Sequence, residues 1–242
     1  MDELSAFATV LPHFRAVDFG HVVVLIDYRT GDVKGLLPTA AERFREAART
    51  GRPGRLPGPL ATHLLTSGFL APTSGPRPWP VTRATTATAS WGSVEHPAGT
   101  ARPRSVPPLD LLRATGALSA VAAVKAVGHR RTTMLRVIRT VHRATSTRRR
   151  PATPEQAAAA VLAVRAAGWN SPGRSACLEE SAAAVLLMAS RCLGVTWCHG
   201  IAADPVRLHA WVQTEDGTPI AEPLSTSAFT PVLTLGAHHH QS

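Results

Sequence analysis

Three residues in the last third of the chain have the types and order that acyl transfer by a thiol requires. Cys177 stands where the loop Trp169-Asn170-Ser171-Pro172-Gly173-Arg174-Ser175-Ala176 enters a helical pattern. His209 lies in an alternating, strand-like stretch, and Glu222 follows shortly after it. A thiolate attacks a carbonyl, an imidazole takes and returns the proton, and a carboxylate orients the imidazole. A helix N-terminus adds the positive end of the helix dipole, which favours an anion at that point. Glu179 and Glu180 oppose this field locally while stabilising the helix. A lone cysteine is ordinarily inert packing, and a lone strand histidine is an ordinary core or surface residue. The combination is what points to chemistry. Asp216 is the nearest aspartate and stays open as the third member, although Glu215-Asp216-Gly217 has the composition of a turn.

These residues need a helix and a small sheet to bring them together. Leu178, Ala182, Val185, Leu186, Ala189 and Leu193 recur at helical spacing, which predicts a helix from Cys177 toward Gly194. Residues 195–203 and 208–214 read as neighbouring strands, 215–217 as a hairpin turn, 218–221 as the return strand and 231–235 as another strand. That order puts His209 in the middle strand and Glu222 at the end of the next. Upstream, 109–127 and 132–143 read as helices interrupted at Gly128. Thr153-Pro154-Glu155-Gln156 opens a further helix with Thr153 as N-cap, Pro154 at the first helical position and Gln156 closing a capping box; it stops at Gly168. Cys192 and Cys198 read as core. Cys198-His199 lacks the second ligand pair of a zinc site, His238-His239-His240 reads as a tail, and no phosphate-binding glycine loop occurs. No metal and no cofactor are expected.

The N-terminal part has a different character. Residues 1–20 read as a lead-in, 21–27 as a strand, Tyr28-Arg29-Thr30-Gly31 as a tight turn and 32–37 as the return strand. Thr39 is the expected N-cap of a helix over 40–49, with Glu42 completing a capping box and Gly51 ending it. A Pro/Gly/Arg loop over 51–59 precedes a short helix, 60–66, stopped by Gly68. Two strands and two helices in this span suggest a small winged-helix domain over 1–75. A helix that reads DNA needs side chains that bond base edges, and 60–67 contains His63 but no Arg, Lys, Asn or Gln. Nucleic acid is therefore not the expected partner. Residues 76–108 hold Pro76, Pro78, Pro80, Pro97, Pro103, Pro107 and Pro108 and read as a linker with a short strand near 90–94; Trp79 and Trp91 either anchor it or pack ordinarily. A second domain follows over 109–242, giving an α+β chain with a helix-rich stretch before a small antiparallel sheet.

Composition narrows the setting. The formal charge is +10, yet Lys34 and Lys125 are the only lysines, so the basicity is almost all arginine in an Ala/Pro/Thr-rich chain. The cluster Arg130, Arg131, Arg136, Arg139, Arg143 and Arg148 to Arg150 reads first as a solvated helix face and basic loop, with an anion- or peptide-binding surface or docking to an acidic partner as the alternative. Three cysteines make no disulfide framework in a chain of this size and fit a reducing compartment. Met1-Asp2-Glu3-Leu4 lacks the basic and apolar run of a secretory signal, and the apolar stretch 114–124 is too short to span a bilayer. A cytoplasmic protein without stable membrane insertion is expected.

Two resemblances sharpen this reading. VVVLIDYRTGDVKGLL, then TAAERF and LLTSGFL, resembles the RiPP recognition element, the winged helix that holds leader peptides for peptide-maturation enzymes. It implies that an extended leader adds beside the 32–37 strand, meeting Asp32, Val33, Lys34, Gly35 and Leu36 there and Leu60 and Leu64 on the short helix 60–66. Arg174-Ser175-Ala176-Cys177-Leu178 before a helix, a strand with Gly200, and His209-Ala210-Trp211-Val212 resemble the transglutaminase-like leader peptidase of lasso peptide biosynthesis, the B protein. This implies a papain-like second domain with Cys177 as nucleophile and His209 as general base and acid. Glu222 stands where that family usually has aspartate, and Glu180 where it often has a basic residue. The implied substrate is a lasso precursor peptide, and the implied partner is an ATP-dependent, asparagine-synthetase-like lasso cyclase. The alternative is a leader-binding scaffold that delivers the precursor to the cyclase without catalysis.

Overall fold

The computed structural model describes residues 6–84, 105–147, 150–169, 176–203 and 205–236. It is a mixed α+β chain that divides into two compact units, Met1–Thr86 and Ala87–Ser242, each with its own core.

The first unit carries more sheet than its sequence pattern suggests. The lead-in forms two strands, β1 (Phe7–Val10) and β2 (Phe14–Asp18), ahead of β3 (Val23–Asp27) and β4 (Val33–Leu36). Helices α1 (Pro38–Thr50) and α2 (Gly58–Thr66) follow, then β5 (Leu70–Thr73) and β6 (Val81–Arg83). β1 pairs with β5 in a two-stranded ribbon, and the larger sheet has the order β4-β3-β2-β6, with β6 parallel to β2. β4 is thus an edge strand. α1 starts two residues earlier than a Thr39 cap would allow. Leu37 is the N-cap, without a side-chain bond, and Pro38 takes the first helical position that its fixed φ suits. Gly51 closes the helix at φ 67.

Residues 76–84, expected in the linker, belong to this unit. Trp79 is buried against Phe44, donates its indole N–H to the Ala8 carbonyl at 2.7 Å and its backbone N–H to Ala48 at 2.8 Å. An aromatic ring with its polar N–H satisfied outweighs the local proline signal. The strand expected near 90–94 and Trp91 lie outside the described residues.

The second unit is a helical layer beside a sheet. Its helices are α3 (Pro108–Ala126), α4 (Thr133–Ser146), α5 (Pro154–Trp169) and α6 (Cys177–Ser190). A two-residue parallel pair, β7 (Arg150–Pro151) with β8 (Leu193–Gly194), precedes the main sheet of β9 (Thr196–Ala202), β10 (Arg207–Gln213) and β11 (Thr230–Leu235). α6 packs against α3, α4, α5, β9 and β10, so its side chains from Ser181 to Val185 are buried all round. Surrounded helices lose the amphipathic stripe of surface ones. The capping box at α5 forms as its residues dictate: Thr153 N–H donates to Gln156 Oε1 at 3.1 Å and Gln156 N–H to Thr153 Oγ1 at 3.3 Å.

The order of the main sheet is β10-β9-β11, which corrects the expected place of His209. β9 is the middle strand, buried along its whole length, and His209 sits on the edge strand β10. The return strand over 218–221 shrinks to a single bridge between Gln213 and Pro219. Proline cannot donate to a ladder, and two residues later Ala221 turns the chain away at φ 54. β11 then pairs with β9 on its other side.

Of the basic cluster, Arg136 is structural. Its guanidinium donates to the carbonyls of Val124, Lys125 and His129, satisfying the exposed end of α3. Arg130, Arg131, Arg139, Arg143 and Arg150 are exposed; Arg148 and Arg149 lie outside the described residues. Among the described residues no helix is long and apolar enough to cross a membrane.

Candidate active site

Cys177 is the first residue of α6, half-buried, at the end of the helix that runs through the core of the second unit. Residues 170–175, expected as a loop, lie outside the described residues. The helix start is braced by its acids. Glu179 Oε2 accepts the Ala176 backbone N–H at 3.1 Å, one half of a capping box whose other half an alanine cannot supply. The other Glu179 oxygen bonds Lys125 Nζ, and Glu180 Oε2 lies 3.5 Å from Arg165 Nε. Both carboxylates beside the thiol are therefore matched by cations.

His209 faces the thiol from β10. Its Nε2 lies 2.7 Å from Glu222 Oε2, and Cys177 is near enough to help raise its pKa. With Nε2 engaged by the carboxylate, Nδ1 is the nitrogen left for the thiol. The ring stacks on Trp211, centroids 5.8 Å apart and planes 15° apart, and meets Phe229 at 5.2 Å. These contacts fix its orientation. Burial alone would lower the His209 pKa; hydrogen bonds and charge attraction from Cys177 and Glu222 outweigh it and raise the value to about 9.

Glu222 is the least exposed of the three, its side chain 4% accessible. Oε1 accepts from Arg165 Nη2 at 2.6 Å, and Oε2 accepts from Thr226 Oγ1 at 3.3 Å besides meeting His209. A second Arg165 nitrogen, Nη1, donates to the carbonyl of Ala221, the residue with positive φ. Asp216 is placed elsewhere. Its carboxylate accepts from the hydroxyls of Thr214 and Thr218 and the N–H of Thr218, bonds that close the turn and hold its pKa below the usual carboxylate range.

Nothing in the sequence pattern singles out Arg165, Thr226 or Phe229. Arg165 is a lone cation in an alanine-rich helix, where the ordinary expectation is a solvated residue. Only the structure sets it between the buried Val164 and Ala166 of α5.

The remaining cysteines are not part of this cluster. Burial pushes the Cys198 thiol up to about 12. Cys192, expected in the core, is exposed instead. It occupies the turn after α6 at φ 57, where the chain reverses into β8 and a side chain projects from the surface. Among the described residues no three His, Cys, Asp or Glu side chains gather as a metal site would require; the histidines at 238–240 lie outside them.

His199 is a second imidazole beside the site. It is 4% exposed on β9 and stacks on Trp197, whose indole N–H donates to Ser181 of α6 at 2.9 Å. Burial, helped by the charge on His209, lowers its pKa from the ordinary 6.5 to about 4. A base kept neutral by the fold stabilises it above pH 6.5, and that stability falls as pH drops from 6.5 through 4. The shift corresponds to about 3 kcal/mol at most. Urea unfolding at pH 7 and pH 4 is expected to show this loss in the wild type and a distinctly smaller one in His199→Asn.

In the first unit, Lys34 and Gly35 are exposed on the edge strand β4, Asp32 is exposed just before it, and Val33 is half-buried. Lys34 Nζ reaches His63 Nε2 of α2 at 2.5 Å, and Leu60 is half-buried on the same helix. Leu36 and Leu64 face inward and belong to the core, so they support this surface from beneath.

Residues 117–234 match the family described as Transglutaminase-like superfamily, and α6, β9, β10 and the whole Cys177, His209 and Glu222 cluster fall inside the matched stretch. No curated protein and no solved structure gives a significant match to the chain.

Proposed function

We propose that the transglutaminase-like domain works as a cysteine peptidase that removes the leader from a lasso precursor, with the N-terminal unit holding that leader. The observation that carries this reading is the 2.7 Å bond from His209 Nε2 to a buried Glu222 carboxylate, on an imidazole whose pKa Cys177 and Glu222 together raise. Superfamilies of this kind include cysteine peptidases and transglutaminases, so hydrolysis is the specific claim.

In the proposed reaction the Cys177 thiolate attacks the carbonyl carbon at the leader–core junction. The developing oxyanion is met by backbone N–H groups of the first turn of α6, which have no partner within the helix. His209, as imidazolium, gives its proton to the departing amine of the core as the C–N bond breaks. A leader thioester on Cys177 remains. Water then attacks it, His209 takes the water's proton, and the thiolate departs from a free leader carboxylate. Glu222 keeps Nδ1 aimed at sulfur through both steps.

For the first unit the proposal is a winged-helix, RiPP-recognition-like role. An extended leader would pair with the open edge of β4 and contact Asp32, Lys34 and Gly35, with Leu60 and His63 of α2 alongside. The edge position of β4 and the exposed polar groups on it support this reading. The released core would pass to an ATP-dependent, asparagine-synthetase-like cyclase that closes its ring.

The test is mass spectrometry of the precursor peptide after incubation with the protein, alone and with the cyclase. Cleavage at one junction is expected. Incorporation of an added amine in place of water would instead identify a transglutaminase. The pH profile adds an independent check. His209 must be protonated to serve the leaving amine, so kcat/KM is expected to fall as pH rises through about 9. The stability gained from its bonds follows the same sign: it is whole below the ordinary 6.5 and is lost as pH rises through about 9.

A further inference from the structure

We propose that Arg165 is the positioning residue of this triad, a role that rests on the peptidase reading above. Its three guanidinium nitrogens have three different acceptors: Nε meets Glu180, Nη1 the Ala221 carbonyl and Nη2 Glu222 Oε1. A single side chain on α5 thus grips the acid of the triad, the backbone bend that delivers it, and a glutamate one turn from the nucleophile.

The geometry makes this more than a stabilising ion pair. Glutamate has one more rotatable bond than aspartate, so its carboxylate needs an external hold to stay in one place. With Oε1 fixed by Nη2 at 2.6 Å, Oε2 is left facing His209 Nε2 at 2.7 Å. Ala221 holds φ 54, a left-handed conformation that costs a non-glycine residue free energy and persists when its surroundings enforce it. The bond from Nη1 to its carbonyl is one such restraint. Burying a carboxylate to 4% accessibility costs desolvation that a paired cation offsets, and Arg165 provides one. The planar fork matters here, because an ammonium cannot hold a carboxylate and a carbonyl in fixed relation.

Removing the fork frees the carboxylate to rotate and the bend to relax, and the imidazole loses the acceptor that aims Nδ1 at sulfur. The measurement is the rate of iodoacetamide alkylation of Cys177 in the full chain, followed by peptide mass spectrometry from pH 5 to 10, with no substrate present. Arg165→Met is expected to slow alkylation at neutral pH by about 10- to 100-fold and to move its pH midpoint upward. Arg165→Lys is expected to recover only a small part of the rate. A mere fold-stabilising residue would shift the unfolding midpoint and leave the pH midpoint of alkylation where it was.

Alkylation by Arg165→Met at the wild-type rate and midpoint overturns the inference, as does full recovery by Arg165→Lys, since charge alone would then suffice. If Arg165→Met does not fold, Arg165→Lys carries the same test. Wild-type alkylation that is unchanged by His209→Ala sinks the triad reading itself, a result distinct from either outcome for Arg165.

Discussion

Cys177→Ala is expected to abolish precursor cleavage, to below about one part in 10⁴ of the wild-type rate, while the protein stays folded. The loss is this large because no other group can form the thioester; a water attacking directly would lack the covalent intermediate that divides the reaction into two easier steps. The fold should tolerate the change. Cys177 is only half-buried at the first position of α6, and the brace from Glu179 to the Ala176 N–H does not involve its side chain. Cys177→Ser should be nearly as inactive, since a hydroxyl is far less acidic than a thiol. Leader binding is expected to survive in both variants, because the edge of β4 belongs to the other unit. Mass spectrometry of the precursor with each protein reads the outcome. Undiminished cleavage by Cys177→Ala would remove the peptidase assignment, and binding without cleavage by the wild type, even with the cyclase present, would leave a leader-delivering scaffold.

Gly200→Ala is expected to cost about 3 kcal/mol and to impair the site as well. Gly200 lies directly opposite His209 on the buried middle strand. A Cβ there would come within 2.7 Å of the Trp211 ring and 2.8 Å of the Thr230 carbonyl on β11. The carbonyl is part of the sheet and cannot step aside, so the tryptophan must move. Trp211 is the ring on which His209 stacks, and its displacement carries the imidazole away from the thiol. Calorimetry should show the second unit melting roughly 5–10 °C lower, and Cys177 alkylation should slow in the still-folded protein. Adding Trp211→Leu should recover part of the stability but not the alkylation rate. An unchanged melting temperature would show that the strand has room that its contacts deny.

What could be read from the residues alone was whatever depends on neighbours in sequence. Thr153 and Gln156 announced the start of α5 because a capping box is a local device, and Cys177 and His209 lay on the expected helix and strand. Long-range pairing was not legible. β1 is short and its partner β5 comes from far along the chain, so Phe7–Val10 looked like a lead-in; β2 pairs with its sequence neighbour β3, but its other flank waits for β6, and Phe14–Asp18 carries no strong strand pattern of its own. His209 moved from the middle of the sheet to its edge because Pro219 and the bend at Ala221 end a hairpin whose turn was read correctly. Glu222 could be chosen over Asp216 only by its place beyond that turn; what holds it, Arg165, is separated from it by 57 residues and leaves no local mark.

The strap that closes the N-terminal unit also bears on how this protein is made. Trp79 bonds Ala8, a partner 71 residues earlier, and β6 completes the sheet beside β2. The first strands therefore leave the ribosome with one flank of their sheet and part of their core still unsynthesised. At ordinary elongation rates that wait lasts on the order of ten seconds. Until Arg83 has cleared the exit tunnel, the nascent chain carries Phe44 and β2 uncovered, and this is the interval in which a trigger-type chaperone would have something to hold.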